Sequence, residues 1–392
     1  FFPAMLRACG YKAELLPFVS KDAVEEGLRH VNNDACYPAI IVIGQLLDAI
    51  KSGHYDTNRI ALIISQTGGG CRATNYISFL KKALFDCGMT NIPILSFNLS
   101  GLQQNPGFNI SGKMFLKGIQ AIFCGDILLS MLCRVRPYET IKGAAQKLCS
   151  HWSRLLSDDI ESRSLWGMYK HILSAVREFD QLPLDDSVRP KVGLVGEILL
   201  KYHPDANNNA IDVVESEGGE AVLPALTEFV LYSLYDEIYK WRNFNGSIKK
   251  ALNSTLLLTL LLFLRLPISL SLMRSKRFRS PISFRKLRSQ VKGVVSLGQQ
   301  TGEGWLLTAE MMELLYAGIH NILCLQPFGC LPNHITGKGV IKELKRLFPK
   351  ANIAAVDYDP GASEVNQINR IKLMMAVARQ NHIDAQPSPS LS

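Results

Sequence analysis

The chain has 392 residues, room for about two to three domains with their own cores. With 47% hydrophobic and 20% charged residues it is not a disordered chain, and nine cysteines, an odd number scattered through apolar sequence, argue against a disulfide framework. The net charge of +9 is concentrated, because eight basic residues fall between Arg274 and Lys292; lacking an RNA-binding aromatic signature or zinc-finger spacing, that stretch reads as a docking or phosphate-binding surface and not as a nucleic-acid site.

The chain opens at Phe1, without an initiator methionine or a cleavable leader, inside a helix from Pro3 to Ala8 closed by Gly10. An α/β unit would place a strand before that helix, so the sequence reads as part of a longer polypeptide with a truncated first domain. From Lys12 to Phe97, β-rich runs (Ala13 to Leu16, Ile60 to Ile64, Ile92 to Phe97) alternate with helical stretches near Lys21 to Arg29, Pro38 to Lys51 and Arg72 to Phe85. Such alternation predicts a parallel sheet covered by helices.

Apolar spacing is helical from about Gly107 to Leu184, the mark of a helical insert. A second α/β pattern begins at Val192 to Val195, with a helix around Asn208 to Glu217 and a strand at Ala221 to Leu223. Helical sequence from Ala225 to about Arg288 interrupts it before strands at Val294 to Leu297, Ile322 to Leu325 and Ile353 to Val356. Helices near Leu306 to Tyr316, Val340 to Phe348 and Ser363 to Ala378 separate these strands. The expected organisation is an α/β domain at 1–106, a helical insert at 107–190, a second α/β domain at 191–380 with a helical insertion at 225–288, and a disordered Pro- and Ser-rich tail at 381–392. Within the insertion, Thr255 to Leu272 is rich in leucine, but Arg265 and Pro267 leave an apolar run of only about ten residues, which predicts a buried core helix and no membrane span.

Two glycine phrases match. Ile63 to Gly70 and Leu297 to Gly304 both place Gln-Thr-Gly-X-Gly between a predicted strand and a helix. Gly68, Gly69, Gly70, Gly302 and Gly304 would permit positive φ and bring bare N–H groups against an anionic ligand or cluster. Neither phrase is the GxGxxG or GxxxxGK[ST] motif, so ordinary dinucleotide binding is not indicated.

Three of the nine cysteines stand at such edges. Cys71 follows the first glycine phrase, Cys36 precedes Pro38 at a helix start, and Cys330 lies between a strand and a helix. Thiols at helix N-termini are expected to have lowered pKa values. The other six, Cys9, Cys87, Cys124, Cys133, Cys149 and Cys324, sit in apolar periodic runs as packing residues. Three thiolates without a fourth fit a cluster with an open iron; His334 as a fourth donor would instead make a zinc site. Gln300, Glu303 and His334 are the nearby polar candidates for catalysis.

The phrases Asn32 to Ala39, Ser65 to Arg72 and Gln326 to His334 resemble the 2-hydroxyacyl-CoA dehydratase family, above all the dehydratase-like region of large proteins that carry an ATP-hydrolysing activator domain; Asp357 to Glu364 resembles that branch too. The likeness covers about 10–110 and 190–378. It implies two Rossmann-like or flavodoxin-like domains whose facing edges hold a 4Fe-4S or double-cubane iron-sulfur cluster through Cys36, Cys71 and Cys330. It also implies a cytoplasmic enzyme component that receives a low-potential electron from an activator protein or fused activator domain. The associated reaction is radical dehydration of a 2-hydroxyacyl-CoA; a double-cubane-type reductase of small molecules, or a noncatalytic activator-docking module, are the alternatives. A homo- or hetero-dimer and an acyl-CoA substrate are the expected partners.

Overall fold

The computed structural model describes residues 1–16, 20–32, 34–66, 70–97, 108, 110–162 and 165–384. Gly68 and Gly69 of the first glycine phrase lie outside the described residues, as do 385–392 of the expected tail, whereas 381–384 belong to the helix Glu364–Asp384 and are not the disordered start of a tail.

The protein is mixed α/β, mostly helical, with two parallel sheets. β1 (Leu62–Ser65) pairs with β2 (Ile94–Phe97). The larger sheet has the order β4-β3-β5-β6, built from β3 (Lys191–Gly196), β4 (Glu220–Val222), β5 (Asn321–Pro327) and β6 (Asn352–Tyr358). Its two central strands are near-continuous apolar runs because helices cover both of their faces. The chain leaves β3 toward β4 on one side and reaches β5 on the other, so a crevice opens past the carboxyl ends of β3 and β5.

Two expected strands are absent. Ala13 to Leu16 is irregular: Leu15 is 68% exposed, so the run lacks the second apolar face of a covered strand. Val294 to Leu297 continues the helix Phe284–Gln290 as turns, with Val294 and Val295 N–H groups both directed to the Val291 carbonyl and Gly293 at φ +87°. The second glycine phrase therefore follows a turn, although it does lead into the helix Gly304–Tyr316.

Helices Gly112–Val135, Ala144–Ser162 and Leu165–Gln181 pack through residues such as Met131, Leu156 and Phe179, and share a core with the helices of the second sheet. Asp126 couples these layers by accepting from the N–H groups of Leu226 (2.7 Å) and Thr227 (2.9 Å), capping the helix Leu226–Asn243 from a distant part of the chain. On the other side, Tyr37 and Ile41 of the helix Tyr37–Lys51 enter the core of the larger sheet, where Tyr37 stacks on Tyr358 at 6.4 Å. That same helix packs against β1 through Ile40 and Leu47, so one helix bridges the two sheets.

Leucines 256–272 do not form the broken, buried helix expected. Ile248–Met273 is one helix that runs through Pro267, and Arg265 is buried in an ion pair with Glu228 (2.7 Å) instead of ending it. Two helices, Gly112–Tyr138 (mean hydropathy 1.6) and Ile248–Met273 (2.2), have the length and composition to cross a membrane; the first is the more buried in the fold.

Candidate functional site

Cys36, Cys71 and Cys330 are each the N-cap residue of a helical segment: Tyr37–Lys51, the 3₁₀ turn Arg72–Asn75 and Leu331–Thr336. Pro38 and Pro332 fix the first turns of two of these, where a missing N–H costs nothing. The Cys36 and Cys330 loops touch backbone to backbone. Gly329 adopts φ +73°, and its missing Cβ would sit 3.3 Å from the Cys36 Cα and 3.2 Å from the Ala35 oxygen. Next to it, Tyr37 donates its N–H to the Phe328 carbonyl at 3.1 Å. The two glycine phrases also meet, since a Cβ on Gly70 would contact Thr301 Cγ2 at 3.5 Å.

Glu197, at the carboxyl end of β3, and Glu303, in the second glycine phrase, complete this crevice. Glu197 Oε2 accepts from Leu200 N–H at 3.0 Å, while Glu303 Oε1 reaches across to Ile198 N–H at 3.2 Å. Asn333 then joins a carboxylate to a thiol: its Nδ2 donates to Glu303 Oε2 at 2.8 Å and to Cys330 Sγ at 3.1 Å. Tyr76 Oη lies 3.4 Å from Cys36 Sγ. Glu197 is close enough to influence Cys36, Cys330 and Tyr76 alike, and Cys71 influences Cys36, Tyr76 and Tyr232. The three thiols and two carboxyls thus share one electrostatic environment.

Burial dominates that environment. It pushes the Cys36 thiol up despite the Tyr76 hydroxyl and the Ala39 N–H, and it pushes the Cys330 thiol up with help from Glu303. Thiolates activated by helix N-termini are therefore not found at these two positions: desolvation outweighs the few N–H groups of a short first turn. Glu197 is raised by burial and then by Glu303, and Glu303 is raised by burial, so the pair retains a proton where free carboxyls would have none.

Asp236 extends the same pattern one layer back. Burial raises it to about 8, and it accepts from Trp305 Nε1 at 3.4 Å. Because the folded state holds this proton over the range from 3.8 to about 8 and the unfolded state does not, stability is complete below the lower value and falls as pH rises through the window. Asp236→Asn should remove about 2 kcal/mol of that decline, measured as the difference in urea unfolding free energy between mildly acidic and alkaline solution. Identical pH profiles for the two proteins would show that Asp236 is ionised in the fold.

Of the polar candidates, only Glu303 joins the thiols. Gln300 donates to the Leu297 carbonyl at 3.2 Å and serves its own loop. His334 gives its backbone N–H to the Cys330 carbonyl at 3.1 Å, and its ring takes part in no side-chain hydrogen bond or ion pair among the described residues. Gly302 (φ +59°) and Gly304 (φ +47°) have the expected positive φ. Glu197, Asn333, Tyr76 and Tyr232 were not singled out in the sequence; an acid two residues beyond the apolar run Val192 to Val195 was the available sign for Glu197. Cys124, Cys133 and Cys324 are buried, and Cys9, Cys87 and Cys149 pack partly buried against the cores. No disulfide links any of the nine.

Among the described residues no three His, Cys, Asp or Glu side chains stand close enough together to hold a single metal ion. A tetrahedral zinc needs four donors, each about 2.0 to 2.3 Å from the metal. Thiols carried on three separate loops can each take a different iron of a multinuclear group. The raised Cys36 and Cys330 thiols are compatible with such ligation because bound metal deprotonates a coordinating thiol outright. Comparison with known protein families, curated proteins and solved structures finds no match.

Proposed function

We propose that the crevice between the two parallel sheets holds an iron-sulfur cluster, 4Fe-4S or double-cubane, through Cys36, Cys71 and Cys330. In this reading the sheets belong to two Rossmann-like or flavodoxin-like domains and the protein is of the 2-hydroxyacyl-CoA dehydratase type. It receives a low-potential electron from an ATP-hydrolysing activator protein or fused domain for radical dehydration of a 2-hydroxyacyl-CoA. One observation carries the reading: three thiols singled out among nine cysteines, one of them more than 250 residues away from the others, converge as helix N-caps at the carboxyl edges of two sheets.

When bound, the cluster supplies one-electron transfer at low potential. The chain supplies the rest. Tyr76 and Asn333 are placed to donate hydrogen bonds to the Cys36 and Cys330 sulfurs, which fixes the thiolates and stabilises their negative charge. Burial keeps bulk water from Cys36 and Cys330. Glu197 and Glu303 together hold a proton beside the thiols, where a departing hydroxyl requires one.

Replacing Cys36, Cys71 or Cys330 by Ala should lower iron content at least tenfold after anaerobic purification, because losing one ligand of three opens the site. Cys124→Ala and Cys149→Ala should retain wild-type iron. Equal iron in all five variants would sink the ligand assignment.

A further inference from the structure

Between Glu237 and Glu303 the chain has 13 Lys and Arg and no Asp or Glu, so the rest of the protein carries a net charge of −4. This segment includes the helix Ile248–Met273, which is apolar on its outer face as well as on its inner one. Ala251, Leu261, Leu264 and Ile268 face the core. On the outer side Leu252, Leu256, Leu260, Phe263, Leu266 and Leu270 are all exposed, with Ile248 and Met273 continuing the row at its ends. Successive members are three or four residues apart, so they form one stripe about 39 Å long at 1.5 Å per residue. Leu256 and Phe263, 69% and 70% exposed, stand well clear of the fold.

The stripe's surroundings are basic and aromatic. Lys249 and Lys250 are exposed at one end with Trp241 and Phe244 just before them, and Arg274 and Lys276 are exposed at the other. Beside the stripe, a groove of about 350 Å³ runs between Leu258, Leu262 and Leu266 on the helix and Pro281 and Ile282 on the following segment, with Arg285 and Arg288 at its rim. Arg288 is held there by stacking over Tyr235 at 4.0 Å.

Charge decides between occupants. A second copy would bring Lys249 and Lys250 against Arg274 and Lys276 if antiparallel, or against themselves if parallel, and the segment offers no acid to pair with either. A protein partner would meet a row made almost wholly of leucine, a residue under-represented among interface hot spots. An anionic phospholipid surface satisfies both parts: acyl chains accept the leucines, and headgroup phosphates accept the flanking cations.

We propose that the helix Ile248–Met273 lies in the plane of an anionic phospholipid bilayer, with its exposed stripe in the acyl boundary and the groove beside Arg285 and Arg288 receiving a lipid chain and its phosphate. The helix docks on the surface; its other face remains in the protein core. This inference is independent of the cluster, and the iron content of the variants below should match the wild type.

Co-sedimentation of the purified chain with vesicles of phosphatidylcholine and phosphatidylglycerol in equal parts, and with pure phosphatidylcholine, tests it. The protein should bind the anionic vesicles at least tenfold more tightly than the neutral ones, and salt should weaken that binding. Reversing Arg285 and Lys276 to Glu should reduce it by about tenfold or more, at roughly fivefold per lost cation. Leu256→Gln with Phe263→Gln should reduce it comparably while leaving far-UV circular dichroism unchanged, since both side chains are exposed. Four results would each overturn the proposal: wild type that ignores both vesicles, which leaves the stripe to a protein partner; equal binding to both, which removes the role of charge; variants that bind like the wild type; or a lipid-free dimer, seen by analytical ultracentrifugation, that the Leu256 and Phe263 changes dissociate.

Discussion

Gly304→Val is expected to abolish stable folding or to destabilise the protein by about 3 kcal/mol or more. Gly304 begins the helix Gly304–Tyr316 at φ +47°, where a β-branched residue is strained, and a Cβ there would overlap both the Gln299 carbonyl oxygen and the Tyr232 hydroxyl. Neither neighbour can withdraw easily: Gln299 accepts the Trp305 N–H at 2.8 Å, and Tyr232 is buried edge-on against Trp305 at 5.2 Å. Gly70→Ala is the contrasting case. Its new Cβ would make ordinary contact with Thr301, so less than about 1 kcal/mol should be lost. Urea unfolding of both variants provides the comparison, and similar stabilities would mean that the second glycine phrase is not sterically required.

Lys201→Met should cost about 3 to 5 kcal/mol by leaving the Glu310 carboxylate buried without its partner. Lys201 Nζ lies 3.0 and 3.2 Å from the two Glu310 oxygens, and both side chains are almost completely enclosed. Burial raises Glu310, with Lys201 opposing the rise. Adding Glu310→Leu to Lys201→Met removes the stranded charge and should recover most of the loss. If the double variant is no more stable than the single one, the lysine acts through the packing of its stem and not through the ion pair.

Much of the fold was legible because the decisive residues advertise their environment locally. Val192 to Val195, Ile322 to Leu325 and Ile353 to Val356 are short apolar runs bounded by helices, and each forms a strand of the larger sheet. Val294 to Leu297 has the same local appearance, but Val291 supplies a carbonyl for its N–H groups and Gly293 turns the chain, so the valines pack half-buried against the core without a strand. Arg265 and Pro267 were misleading for a related reason. A buried arginine ends an apolar run only if it lacks a partner, and Glu228, distant in sequence, provides one.

The candidate site divides along the same line. Cys36, Cys71 and Cys330 were marked by adjacent proline and glycine, which signal helix starts. Glu197, Asn333, Tyr76 and Tyr232 carry no such punctuation and acquire meaning only when β1, β3 and β5 bring their carboxyl ends together. The direction of the thiol pKa shifts was also hidden, because a helix N-terminus is visible in sequence and the desolvation that overrides it is not.

The most direct test is metal and acid-labile sulfide analysis of the protein purified without oxygen. The account predicts iron and sulfide in equal amounts, about four of each per chain for a single cubane and about twice that for a double one. It also predicts that cluster content falls with loss of Cys36, Cys71 or Cys330. Zinc without sulfide, or a folded protein that binds no iron when supplied with iron and sulfide under reducing conditions, would contradict it.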